Sequence, residues 1–364
     1  MQGERWHELR NILVVRADNS GDVVLTSPAL RALRAAAPAA RITLLASPAG
    51  SQAAPLLRPW LDAVLVRRVL WQDVHGALAH DPGRELALVD DVRARAFDAA
   101  FFLTSFSQSP LPPAYVCYLA GVPIRVGQAT EHGGALLTHG VKPPPFETHQ
   151  AERNLHLLAS AGIAVAERHL ELVIPAEDEA RARALLEARG IAENERFALV
   201  VPGASAEARR YDPARFGAAA ALLAARAELP VVVAGSERER ETIRPALDAA
   251  GDAVVSLVGE TSVPELAALT RRAALVLACN SLALHLADAF VRPLVVLYSG
   301  TDYEEQWRPR RSRARLLRLD TVCSPCFELT CPYGKECLAI EPAEVVAAAL
   351  AVVSPEPALV EETA

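Results

Sequence analysis

The sequence predicts an α/β protein made of two doubly wound, Rossmann-like domains that face a central cleft. Three observations carry this. Short apolar runs of strand length alternate with Ala-, Leu- and Arg-rich stretches of helical spacing. The alternation is interrupted by a proline-rich segment and then begins again. The length, 364 residues of which 51% are hydrophobic, suits two domains, each with its own core. Strands linked through helices pair in parallel and are covered on both faces, so they read as continuous apolar runs.

In chain order, Asn11 to Arg16 (NILVVR) is the first strand. Val24 to Pro38 has helical spacing and stops at the proline. Strands follow at Arg41 to Ser47, from Asp62 (DAVLVRR) and from Asp98 (DAAFFLTS). Lys142 to His149 (KPPPFETH) breaks the pattern, and a helix is expected over 150–161. His169 to Gly190 reads as strand, connector and helix. The domain boundary falls around Val173 to Glu177, giving domains 1–174 and 175–353 and a tail, 354–364, expected to be disordered. The second domain offers five strands: Phe197 to Gly203, Pro230 to Ser236, Ala253 to Gly259, Ala274 to Asn280 and Pro293 to Gly300. A last helix is expected over 342–353. No short-period repeat is present.

A net charge of −7 argues against a nucleic-acid partner, because a phosphate backbone needs a basic footprint. No run of 18 apolar residues occurs, so no transmembrane helix is expected. The start, MQGERWHELRNILVVR, has neither the apolar stretch nor the cleavage site of a signal peptide, so a cytoplasmic location is expected. Lys142 and Lys335 are the only lysines, so arginine is expected at positions where relatives carry lysine.

Three strand-to-helix junctions hold polar residues suited to chemistry. After the first strand, Gly21-Asp22 opens a helix, and two readings of Asp22 stand. A carboxylate at a helix start can cap it, or can face the cleft as a base that takes a proton from a sugar hydroxyl. Asp18 reads as a loop residue. After Val201 a Gly/Ala/Ser loop precedes Arg209-Arg210. Small residues let backbone amides approach a phosphate and arginine binds its oxygens, or the arginines are a solvated pair on a turn. At Asn280-Ser281 a strand meets a helix that carries His285 about one turn in. The helix start can hold a diphosphate, or the two residues simply cap it while His285 packs.

Two further segments stand out. Cys323, Cys326, Cys331 and Cys337 (C-x2-C-x4-C-x5-C) either hold a structural zinc or iron–sulfur group or are plain thiols or a local disulfide. A reducing compartment disfavours the disulfide. Arg308 to Arg318 (RPRRSRARLLR) faces anionic lipid or an acceptor's phosphates, or is a solvated loop.

The three junctions, in this order, resemble the ADP-heptose:lipopolysaccharide heptosyltransferases, glycosyltransferase family nine. Asn19-Ser20-Gly21-Asp22 with Thr26-Ser27-Pro28-Ala29-Leu30 is similar to the family's S-x-G-D and T-x-P-A-L. Pro202-Gly203-Ala204-Ser205 followed by Arg209-Arg210-Tyr211 is similar to its P-G-A-S and basic motif. Asn280-Ser281-Leu282-Ala283-Leu284-His285-Leu286-Ala287 is similar to its D-[ST]-G-x-x-H-L-A. His149, Glu152 and Asn154 echo a further family stretch. The resemblance, over residues 11 to 350, implies a GT-B fold and an inverting transfer that needs no metal or other catalytic cofactor. It implies Asp22 as general base and a donor site of Ser205, Arg209, Glu239, Asn280, Ser281 and His285, with Glu239 on the nucleoside. The implied donor is ADP-heptose-like. The implied acceptor is a lipid-linked or lipopolysaccharide-core saccharide, with peripheral contact at the inner membrane. Two positions depart from the pattern: Asn280 replaces an aspartate and Leu282 a glycine, removing a charge and adding a side chain near the phosphates. The alternatives are another GT-B enzyme with a different sugar nucleotide, an epimerase, a relative that binds nucleotide without turnover, or a two-lobed binding protein; the missing signal peptide and Asp22 count against the last.

Overall fold

The computed structural model describes residues 6–73, 76 and 78–354; most of the expected tail, from residue 355, lies outside them. The chain divides into two compact units. One comprises the chain up to Pro175 together with Glu304–Arg308, the other Ala176–Tyr303 and the chain from Pro309 on.

The first unit has a six-stranded parallel sheet, β1 (Asn11–Val15), β2 (Arg41–Ala46), β3 (Ala63–Val66), β4 (Ala99–Phe102), β5 (Ile124–Gln128) and β6 (His139–Val141), in the order β3-β2-β1-β4-β5-β6. Its helices are α1 (Ser20–Val24), α2 (Ser27–Ala36), α3 (Pro82–Ala94), α4 (Leu111–Leu119) and α5 (Gln150–Ser160). Alternate strand residues point to opposite faces. Leu13, Val15 and Phe102 join Leu88 and Val92 of α3 and Cys117 of α4, while Val14 and Phe101 face Leu30 and Leu33 of α2 and Leu158 of α5.

The second unit contains α6 (Ala176–Glu187), β7 (Ala198–Val201), α7 (Pro213–Ala227), β8 (Val231–Val233), α8 (Arg240–Ala250), β9 (Val255–Ser256), α9 (Val263–Arg272), β10 (Leu275–Cys279), α10 (Leu282–Ala289) and β11 (Leu294–Leu297). The chain gives one short helix, α11 (Glu304–Trp307), to the first unit before β12 (Ala314–Leu317) and α12 (Pro342–Val353). The sheet is again parallel, in the order β12-β11-β10-β7-β8-β9. Numbered from its own first strand, each sheet runs 3-2-1-4-5-6. The strand order therefore reverses between β1 and β4 in one unit and between β7 and β10 in the other. At such a point the two loops leave in opposite directions, opening a crevice at the carboxyl ends of the strands.

Several elements differ from the sequence reading. The helix expected to open at Gly21-Asp22 and stop near Pro38 is two helices, α1 and α2: Thr26 turns its hydroxyl onto the Val23 carbonyl at 2.6 Å, and Pro28, which has no N–H, sits in the first turn of α2. The strand expected within 169–190 is extended chain without a ladder, tied by single bonds from the Val173 amide to the Leu56 carbonyl and from the Glu171 amide to the Ser27 hydroxyl. Strands β5, β6 and β12 were not expected. β5 contains Arg125, whose guanidinium is satisfied by the carbonyls of Val122, Ala135 and Leu136, so a charge sits in a strand without an ion pair. β12 lies within the arginine-rich run itself.

Gly217 of α7 lies against the backbone of α8, where an added Cβ would overlap the Ala246 carbonyl. Gly217→Ala should therefore force the helices apart and cost about 1–3 kcal/mol. Urea unfolding measures this; an unchanged midpoint would contradict the close approach.

Candidate active site

In the first unit the crevice is built around Arg16, the residue that follows β1. It is 1% exposed. Its Nη1 donates to the Leu103 carbonyl at 2.5 Å, just past β4. Nη2 donates to Asp22 Oδ1 at 2.7 Å, and Nε lies 2.8 Å from Asp18 Oδ2 in an ion pair without hydrogen-bond alignment. One guanidinium thus spans the switch point and holds two carboxylates.

The two carboxylates differ. Asp18 is almost wholly buried, and Gln108 donates to its Oδ1. Burial pushes its carboxyl up; Arg16 pulls against this and Asp22 adds to it. Its backbone is pinned as well: the Ser47 hydroxyl donates to the Asp18 carbonyl at 2.6 Å, and that of Ser20 to the Ala49 carbonyl at 2.6 Å. Asp22 keeps 20% of its side chain exposed. Only Oδ1 is engaged, so Oδ2 has no partner among the described residues. The helix-cap reading of Asp22 does not hold, since the N-cap of α1 is Asn19 and no side chain bonds there. Reading Asp18 as a plain loop residue missed its pairing with Arg16, two positions before it.

The family-like stretch at α5 is structural in its contacts. His149 Nδ1 accepts the Ala151 amide at 3.2 Å as the N-cap, and Glu152 pairs with Arg168. Asn154 donates to the Leu25 carbonyl at 3.1 Å and accepts from Gln150.

In the second unit the polar loops again follow the strands. After β7, Gly203 lies against the Glu239 carboxylate, which an added Cβ would displace. Glu239 itself closes a reciprocal cap, its Oε2 accepting the Ser236 amide at 2.9 Å and hydroxyl at 2.7 Å. Ser205 is exposed on the β7 loop. The arginines are not a solvated pair. Arg210 Nε braces the loop through the Ala204 carbonyl at 2.8 Å. Arg209 lies 2.8 Å from Asp302 and donates to the Thr301 hydroxyl at 3.2 Å. Asp302 and Thr301, past β11, were missed; the signal was the polar run Ser-Gly-Thr-Asp after an apolar strand.

After β10, Asn280 is buried and Ser281 is the N-cap of α10, yet no side chain makes a capping bond. The first amides of α10 are therefore left to another acceptor. His285 is buried on the same helix. Cys279, the last residue of β10, donates to the Pro202 carbonyl, and burial pushes its thiol up to about 12. Together these groups could hold a diphosphate.

The four carboxyl-terminal cysteines are free thiols. Cys323 is exposed, while Cys337 accepts the Gly300 amide at 3.4 Å. Among the described residues no three His, Cys, Asp or Glu side chains form a set able to hold a metal, so a structural zinc or iron–sulfur group is not shown. The arginine-rich run is more ordered than a solvated loop. Asp288 accepts the amides of Arg310, Arg311 and Ser312 at 2.7–3.0 Å, and Arg313 bonds the end of α12. No helix among the described residues is long and apolar enough to cross a membrane.

The chain is similar to known proteins in sequence and in fold. Lipopolysaccharide heptosyltransferase 3 of Escherichia coli is 25% identical over 298 residues, 79% of this chain and 83% of its own. A family 9 glycosyl transferase from Veillonella parvula superposes with a TM-score of 0.76 at 18% identity, covering 96% of this chain and 98% of its own. E. coli ADP-heptose lps heptosyltransferase II gives 0.71 at 22% identity, covering 94% and 98%. Both share the two-sheet GT-B fold. The model of glycosyltransferase family 9 (heptosyltransferase) matches residues 86–336, well over half of the chain. The protein belongs to glycosyltransferase family 9, the heptosyltransferases.

Proposed function

We propose that this glycosyltransferase moves a heptose or similar sugar from an ADP-heptose-like donor to a lipopolysaccharide-core or related lipid-linked saccharide, with inversion at the anomeric carbon. The reaction would take place at the inner-membrane surface. The observation that carries the reading is Asp22: one oxygen anchored by a buried arginine, the other open, at the switch point of the first sheet.

The first unit would hold the acceptor and the second the donor. The acceptor hydroxyl has a pKa far above neutrality, so its proton must leave as its oxygen bonds to the anomeric carbon. Asp22 Oδ2 takes that proton while the bond from the anomeric carbon to the diphosphate oxygen breaks. The nucleoside diphosphate departs with the bonding pair. Its charge is received by Arg209 and the uncapped amides of α10, with Asn280, Ser281, Ser205 and His285 around it and Glu239 toward the nucleoside. E. coli heptosyltransferase II, of the same fold, is named for ADP-heptose, which supports the donor class.

Asp22→Asn keeps size and removes the base. Transfer should fall about 10²–10⁴-fold with nucleotide affinity and melting temperature little changed; near-normal transfer would place the base elsewhere. Arg209→Ala removes a charge-assisted contact, so nucleotide affinity should fall roughly ten- to hundred-fold, and unchanged affinity by calorimetry would reject the role. Because arginine and helix amides receive the leaving charge, transfer should survive preincubation with EDTA. A strict magnesium or manganese requirement would contradict this assignment.

A further inference from the structure

The carboxyl-terminal cysteine segment is stitched to both loops that carry Arg209 and its holders. Two ties reach the loop after β7. The Ala208 amide donates to the Leu329 carbonyl at 3.1 Å. The Glu207 carboxylate accepts the Cys331 amide at 3.1 Å and pairs with Lys335 at 2.7 Å. Arg209 follows Ala208 in the chain. Three ties reach the loop after β11. The Cys326 amide donates to the Gly300 carbonyl at 2.9 Å, the Phe327 amide to the Thr301 carbonyl at 2.9 Å, and the Gly300 amide to Cys337 Sγ at 3.4 Å. Thr301 and Asp302, which hold Arg209, are thus positioned by this segment.

Two cysteines meet on Gly300, Cys326 at its carbonyl and Cys337 at its amide. A Cβ added to Gly300 would lie 3.0 Å from that of Ser324 and 3.6 Å from that of Cys337. The turn bearing Cys323 and Cys326 therefore closes on the same side of Gly300 as Cys337. All four thiols are free, Cys323 exposed and the others partly so. Burial pushes the Cys337 thiol up, the Gly300 amide pulls against this, and Cys331, Cys326 and Cys323 add to it. The segment also holds Phe327 and Lys335 at φ 57°, a left-handed backbone that such residues adopt only where their surroundings impose it.

We propose that Cys326 and Cys337 form a reversible disulfide across Gly300 that loosens the donor site under oxidation. The proposal rests on the donor-site reading above. Hydrogen peroxide is the oxidant. The Cys326 sulfur attacks one peroxide oxygen, the O–O bond breaks, and Cys326 becomes a sulfenic acid with release of one water. The Cys337 sulfur then attacks that of Cys326, and the displaced hydroxyl leaves with the Cys337 proton as a second water. Two electrons pass from the two sulfurs to the peroxide. As the sulfurs join, Gly300 loses the acceptor of its amide and the donor to its carbonyl. Thr301 and Asp302 shift with it, and Arg209 loses its anchors. Disulfides of this kind in a reducing compartment are transient and redox-sensing rather than structural.

The test starts from the full chain reduced with TCEP and then treated with hydrogen peroxide. Peptide mapping by mass spectrometry should find Cys326 and Cys337 cross-linked, with TCEP restoring both thiols. Hydrogen exchange of peptides spanning 203–211 and 298–303 should rise on oxidation and fall back on reduction. ADP affinity by calorimetry should drop roughly ten- to hundred-fold in the oxidised protein, the worth of the Arg209 contact. Cys326→Ser should bind ADP as the reduced protein does and keep that affinity in peroxide. Absence of the Cys326–Cys337 cross-link would overturn the proposal, as would unchanged exchange or unchanged ADP affinity in the cross-linked protein. A metal held by these thiols that shields them from peroxide would overturn it too. Should Cys326→Ser fail to fold, the wild-type map and exchange decide the matter. Cross-linking and raised exchange in a chain that binds no ADP even when reduced would count against the donor-site reading alone.

Discussion

The first unit depends on one buried guanidinium. Arg16 leaves β1 where the strand order reverses, bonds a carbonyl past β4, and holds Asp18 and Asp22 on its remaining nitrogens. Only arginine has donors on three nitrogens in a rigid plane; a lysine could not reach the same partners at once. The fork sorts the two carboxylates. Asp18 is buried under Gln108, with its carboxyl pushed up by desolvation. Asp22 keeps an oxygen open to the crevice. A base must be both oriented and accessible, and of the two only Asp22 has that combination.

The second unit repeats the topology with opposite polarity. Where the first presents carboxylates, the crevice between β7 and β10 presents an uncapped helix start and an arginine. The Arg209 guanidinium is held by Asp302 and Thr301 rather than left to wander, so little side-chain freedom remains to be lost when an anion arrives. The missing cap on α10 fits the same logic. Neither Asn280 nor Ser281 covers the first amides, so the cost of leaving them open is offset only when a ligand occupies them.

Much of the scaffold was legible in the sequence because parallel strands buried on both faces leave unbroken apolar runs, as at Asn11–Val15 and Leu275–Cys279. Strands that break this rule were not legible. Arg125 sits in β5 because distant carbonyls satisfy it, and β12 reads as part of a cationic run. At the site, single residues stood out but their relations did not. Asp22 was visible as a carboxylate at a helix start; its link to Arg16, six positions away across the same loop, was not, because the spacing does not show that an arginine ending a strand is buried and turned onto that loop. The pairing of Arg209 with Asp302 spans 93 positions, and no local pattern encodes it.

The central claim is that Arg16 acts on the reaction through Asp22. A double-mutant cycle on transfer rate, using Arg16→Lys, Asp22→Asn and the two combined, tests it most directly. If the fork serves to hold the base, the combined variant will be no slower than Asp22→Asn alone, because the lysine has nothing left to misplace. If the two losses multiply, Arg16 and Asp22 act independently and the account is wrong.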